Sequence, residues 1–196
     1  MCVAPCAVVA ALFPPSANAV YRGIAASIVV FGVASICAPM IYIRTPYAAN
    51  TFEPVPQPIE FDHRHHVRDD GIDCVYCHDT VETQAFAGIP STARCMGCHG
   101  QIWPESPETA LLRASWINQT PIAWRRVNSV PAYVYFHHGV HIQAGVECVE
   151  CHGDIKAMPR VYRVSNMSMG FCTDCHRKRQ GSRLVTRLMT CTACHR

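Results

Sequence analysis

A single membrane-spanning α-helix followed by a domain of short helices and irregular chain is the fold class this sequence predicts. The second part is expected to be organised around bound groups more than around its own apolar side chains. Three observations predict this. Gly23 to Ile43 is a run of 21 residues without a charge. The sequence Cys-x-x-Cys-His then occurs five times in the roughly 147 residues that follow Ala49. Hydrophobic residues make up 49% of the chain, but much of that share lies in its first fifth, which leaves little for a core downstream.

The five copies are Cys74, Cys77 and His78; Cys95, Cys98 and His99; Cys148, Cys151 and His152; Cys172, Cys175 and His176; and Cys191, Cys194 and His195. This is the pattern that covalent c-type haem attachment requires. The two thiols form thioethers with the haem vinyl groups, and the adjacent His lies against the iron as its proximal ligand. Ten of the 13 cysteines are used in this way. Zinc ribbons also use Cys-x-x-Cys pairs, but they do not need His directly after the second Cys, and a disulfide framework does not need it either. Cys2, Cys6 and Cys37 remain and read as small apolar filler. Five covalently bound c-type haems in so short a stretch would form a haem-dominated, mostly irregular multihaem domain, to which 14 prolines and 11 glycines are suited. A net charge of +3, with no Lys/Arg stripe, gives no support for nucleic acid as a partner.

At 1.5 Å per residue, residues 23–43 are long enough for a bilayer core of about 30 Å. Arg22 and Arg44 bracket the run, and Tyr21, Tyr42 and Tyr47 sit at its ends, as interfacial aromatics do. Pro39 is compatible with spanning. Residues 1–22 read as an amphiphilic leader that is retained, packed at the inner face or against partner subunits: Ala17-Asn18-Ala19 resembles a signal-peptidase site, but no basic region precedes it. The flanking arginines balance, so haem attachment decides the topology. C-type haems are attached outside the cytoplasmic membrane. The expected location is therefore single-pass in the cytoplasmic (inner) membrane, with the haem domain on the periplasmic side and the lipid bilayer as a partner.

An internal repeat divides the rest. Phe61, His63 and His66 precede Gly71-Ile72-Asp73-Cys74, and Phe136, His138 and His141 precede Gly145-Val146-Glu147-Cys148. The offset is 75 between the histidines and 74 between the cysteines. Residues 51–126 and 127–180 are thus two dihaem modules, and 181–196 is a terminal segment for a fifth haem. Histidines at i and i+3 share one face of a helical turn but diverge, so each pair can serve two irons. His63, His66, His138 and His141 are the expected distal ligands. An iron held by two histidines has no open position and carries electrons instead of binding substrate. His65 and His137 lack counterparts in the repeat and read as surface residues or partners of haem propionates. The fifth iron still needs a distal ligand. Met169 is favoured, with Met158 second, and Met167, Met189, His65, His137 or an open iron as alternatives.

Several further segments carry a resemblance: Phe13-Pro14-Pro15, Ala87-Gly88-Ile89-Pro90-Ser91, Ile102-Trp103, Pro121-Ile122-Ala123-Trp124, Met169-Gly170-Phe171 and the terminal Cys194-His195-Arg196. With the five motifs, these make the chain similar to the pentahaem cytochrome subunit of bacterial alternative complex III, a quinol:electron-acceptor oxidoreductase. Each dihaem module is similar to class III multihaem cytochromes. The resemblance implies other subunits that hold the quinol site, and a relay role without catalytic residues of its own. It also implies an electron acceptor such as a cytochrome, cupredoxin or oxidase. Two other readings are a stand-alone membrane quinol dehydrogenase feeding a periplasmic reductase, and a small multihaem reductase, which would need an open iron.

Overall fold

The computed structural model describes Pro14 and residues 16–179 and 187–195. Most of the leader (residues 1–13, with Cys2 and Cys6), Pro15, residues 181–186 of the terminal segment and Arg196 lie outside these. The chain divides into two compact units, Met1–Ala49 and Asn50–Arg196.

In the first unit, helix α1 spans Ser16–Tyr42, 27 residues with Pro39 inside. It starts seven residues before the uncharged window. Helix-forming alanines and a lone Arg22 allow it to extend backwards. None of its residues is buried against protein. A helix that is apolar all round and unpacked suits lipid better than water. At about 40 Å, it is long and apolar enough to cross a membrane, as a membrane anchor or as part of a signal sequence.

The second unit has no strand among the described residues, only isolated bridges joining Thr51 to Arg163, Pro54 to Tyr162 and Val134 to His195. Its helices are short: α2 Cys74–Cys77, α3 Thr92–His99, α4 Ala110–Asn118, α5 His138–Gln143, α6 Cys148–His152, α7 Met169–Lys178 and α8 Cys191–Cys194. Single 3₁₀ turns lie at Pro107–Thr109 and Ile155–Ala157. Several of their starts are capped locally. The Asp73 carboxylate accepts from Val75 N, and the Ser168 hydroxyl accepts from Phe171 N. Glu147 and Glu150 form a reciprocal capping box at α6. Among the described residues only Val81, Leu112 and Met158 are buried apolar side chains, and no large side chain is fully buried. The polypeptide here is a scaffold with almost no apolar core of its own.

The first copy of the repeated ligand segment departs from the α-helical turn expected of both. Arg64–Asp69 is a π-helical turn, whereas its counterpart α5 is α-helical. Eight positions separate His66 from Cys74, against seven between His141 and Cys148. The extra residue is absorbed by the wider turn, a common way to accommodate a one-residue insertion.

The two copies are interlocked within one unit. Phe52 N donates to Arg163 O (2.7 Å), and Arg160 pairs with Glu60. The N-terminus of α5 lies on the loop of the first copy, where Gly139 N donates to Gln84 O (3.2 Å).

Candidate haem centres

All five Cys-x-x-Cys pairs lie on helices, α2, α3, α6, α7 and α8. On a helical turn, residues three apart project from one side, so both thiols of each pair face the same way. None of the described cysteines is in a disulfide. Burial pushes the thiols of Cys74, Cys77, Cys95, Cys151 and Cys172 up from their ordinary values. That disfavours thiolate, the form zinc would need, and suits a neutral thioether.

The candidate ligand histidines face one another in pairs. His138 and His152 have ring centroids 6.3 Å apart and planes 11° from parallel; His141 and His176 are 6.3 Å apart at 19°. His66 and His99 are 6.1 Å apart at 60°. His63 lies close enough to His78 for their charges to oppose each other. Two imidazole nitrogens each about 2 Å from a shared metal would place the ring centroids roughly 6 Å apart. Among the described residues, no group of three or more His, Cys, Asp or Glu surrounds one point. Two facing imidazoles and nothing else are the donor set of a macrocycle-bound iron with two axial ligands; they do not make a tetrahedral zinc site. The residues fit haem.

The repeat also holds at atomic detail. Phe61 is edge-on to His63 and stacked on His66, at 4.8 and 4.3 Å. Phe136 repeats this with His138 and His141, both at 4.7 Å. Asp62 and His137 occupy equivalent positions and do the same work. The Asp62 carboxylate accepts from Arg64 N (2.8 Å), and His137 Nδ1 from Val140 N (3.4 Å). His137 is therefore a helix cap, an equivalence already present in the 75-residue offset. His65 stacks on Trp103 at 5.7 Å and sits 3.5 Å from Asp70.

Most of these imidazoles are oriented from behind. Nδ1 faces a backbone carbonyl in His66 (Asp62 O, 3.1 Å), His78 (Gly88 O, 2.7 Å), His99 (Ile102 O, 3.2 Å), His138 (Ala85 O, 2.7 Å) and His141 (His137 O, 2.9 Å). A proton held on Nδ1 leaves Nε2 bare for a metal. His63 Nδ1 is buried with no partner among the described residues. Burial, then the charges of His78 and His66, push its pKa down to about 4. Burial lowers His152 and His176 as well. All three are kept in the neutral, ligand-competent form. Gly88 and Gly139 are two positions that sequence reading did not assign to the site. At Gly88, φ is +76° and a Cβ would meet Thr80 Oγ1 at 2.7 Å; at Gly139 a Cβ would meet Glu82 O at 2.6 Å.

Electrostatic and hydrogen-bond relations link the motifs. The Cys95 thiol is within electrostatic reach of Cys77, Cys74 of Cys148, Cys151 of Cys175 and Cys172 of Cys194. Arg94 pairs with Asp79 (2.9 Å), bracing the first two motifs, and Arg179 pairs with Glu150 (2.7 Å), bracing the third and fourth. Tyr135 N donates to Cys194 O (2.7 Å), and the Tyr133 ring is 5.8 Å from His195. These relations link the second motif to the first, the first to the third, the third to the fourth and the fourth to the fifth. His195 faces no second imidazole among the described residues. Met169 opens α7 with its side chain 67% exposed, whereas Met158 is 3% exposed.

Residues 134–196 match the family model described as cytochrome c7 and related cytochrome c. The chain is 29% identical over 161 residues to a protein of Nitratidesulfovibrio vulgaris named menaquinone reductase, multiheme cytochrome c subunit; the match covers 71% of this chain and 77% of that one. Together with the motifs and the facing imidazoles, these similarities show a multihaem c-type cytochrome of electron transport, helix-rich, with a cytochrome c7-like domain and one helix able to cross a membrane.

Proposed function

We propose that the chain is the membrane-anchored pentahaem subunit of a quinone-linked membrane complex and relays electrons between its quinone-reactive partner subunits and an acceptor on the periplasmic side. The observation that carries this is the set of three facing imidazole pairs at 6.1–6.3 Å, a spacing that fits one iron between the rings of each pair. Each bound haem supplies one-electron chemistry at its iron. The chain's residues do the rest. His63 with His78, His66 with His99, His138 with His152, and His141 with His176 would each hold one iron between them and would leave it no open position for substrate. Met169 is the proposed partner of His195. It lies one turn before Cys172, whose thiol is within electrostatic reach of Cys194, and it is exposed. The dihaem modules 51–126 and 127–180 and the terminal segment 181–196 would form one continuous row. α1 would anchor that row in the cytoplasmic membrane.

Alternative complex III is the form of the complex that the resemblance suggests, with electrons leaving quinol. A second reading is favoured by the name of the Nitratidesulfovibrio relative: the same row would run the other way, from a periplasmic donor towards menaquinone. Gentle solubilisation decides. Co-purification with quinone-reactive subunits, five haems per chain and redox exchange with a quinone supports the relay. A monomer that carries out its own substrate reduction overturns it. Whether added quinol reduces the haems, or reduced haems reduce added menaquinone, separates the two directions.

A further inference from the structure

Asn128 lies in the loop that leads from the first repeat to the second, far in sequence from any cysteine motif. Its amide nitrogen is 3.2 Å from His152 Nδ1, and its Oδ1 is buried with no partner among the described residues. This arrangement is inconsistent with ligation. An amide N–H donating to Nδ1 requires the proton on Nε2, and a protonated Nε2 cannot bind a metal. Yet His152 faces His138 across the spacing of an axial pair, and burial holds it neutral. Turning the amide by 180° exchanges O and N, which occupy nearly the same volume. Oδ1 then accepts from His152 Nδ1–H, and Nε2 is bare. The turn replaces an orphaned acceptor with an orphaned donor, costs of similar size, so the tautomer of His152 decides the orientation.

We infer that Asn128 is a positioning residue for the iron held by His152 and His138, its amide oxygen accepting the Nδ1 proton of His152. The other oriented imidazoles above use carbonyls of the backbone; here the role falls to a side chain, which a single substitution can remove. The site is also a junction between the repeats, because the charges of His138 and His78, one from each repeat, both reach His152. A hydrogen bond from the proximal imidazole makes it a stronger electron donor and stabilises ferric iron. Asn128 therefore holds the junction iron at a lower potential than it would otherwise have.

The inference rests on the haem reading, and the test keeps the two apart. The full-length chain, with haems attached, is titrated potentiometrically as wild type, Asn128→Leu and Asn128→Asp. Leu fills the space but accepts nothing, so one midpoint potential should rise while the other four hold. Asp keeps an acceptor oxygen, so that potential should return to the wild-type value or fall below it. Equal shifts in both variants, or none, overturn the inference while the five haems remain in place. Absence of haem would instead overturn the haem reading. Should either variant fail to assemble, the wild type answers alone: the His152 Nδ1 proton should be visible by NMR and exchange slowly, and its absence overturns the inference.

Discussion

The imidazole planes of His138 and His152 lie within 11° of each other, whereas those of His66 and His99, the first-copy counterpart of His141 and His176, are 60° apart. In low-spin ferric haem, near-parallel axial imidazoles split the iron d-orbitals strongly and give a rhombic paramagnetic signal. Crossed planes leave the orbitals closer in energy and give one very large g value. The expected spectrum therefore contains rhombic signals from the His138–His152 and His141–His176 irons and a large-g signal from the His66–His99 iron. Low-temperature EPR of the oxidised protein checks this. His66→Ala should remove the large-g signal alone.

His141→Ala should open a single iron. His141 is held by Phe136 stacking at 4.7 Å and by its bond to His137 O, and it faces only His176. The variant should bind one carbon monoxide per chain in the reduced state, with one low-spin centre lost. Spectrophotometric titration measures the stoichiometry. Binding of two or more would show that the two repeats do not hold their irons independently.

Gly139→Ala should loosen the contact between the repeats. A methyl group there would sit 2.6 Å from the Glu82 carbonyl, which is backbone and cannot swing aside. The bond from His138 to Ala85 O depends on the same approach. A loss of about 1–3 kcal/mol is expected from such overpacking, read from denaturant unfolding followed at the haem band. Gly170→Ala, where the nearest atom is 3.7 Å away, is the control and should be nearly neutral.

The Asp62–Arg64 clasp should set an acid limit on the first ligand turn. The hydrogen bond from Arg64 holds the Asp62 carboxyl down at about 2, against an ordinary 3.8. A carboxylate depressed in the folded state adds stability that is fully present above the unfolded value. That stability is lost as pH falls towards the folded one. Wild type should therefore be more stable than Asp62→Asn at neutral pH, and the gap should close between pH 3.8 and about 2. Acid unfolding of the two proteins, compared point by point, measures it.

Much of the site was legible in the chain because haem attachment is a local, covalent demand. Cys-x-x-Cys-His must be contiguous for two thioethers and an axial bond to meet one macrocycle, so the motifs are written in full. The Phe-x-His-x-x-His turns were equally visible, because one helical turn sets both the spacing of the imidazoles and the seat of the aromatic ring. Even the helix-cap role of His137 was available from its alignment with Asp62, although its chemistry differs. The π-helical form of the first turn was also implicit in the one-residue difference between the offsets.

Asn128, Gly88 and the Ala85 carbonyl carried no such signal. Each acts on an imidazole 10 to 53 positions away, and nothing in the local sequence marks a side chain or carbonyl that will arrive behind a ring. The start of α1 at Ser16 was hidden too, since charge-free length identifies the lipid-spanning part but not where a helix stops being favourable.

The amino-acid sequence alone carried the Cys-x-x-Cys-His motifs, the two Phe-x-His-x-x-His copies and one run long enough to cross a bilayer, because each is written in a contiguous segment. Tertiary structure decided which imidazole faces which and the contact at Gly139. Those depend on how short helices with scarcely any apolar core of their own close around one another, and only the folded chain brings residues so distant in sequence within hydrogen-bonding reach.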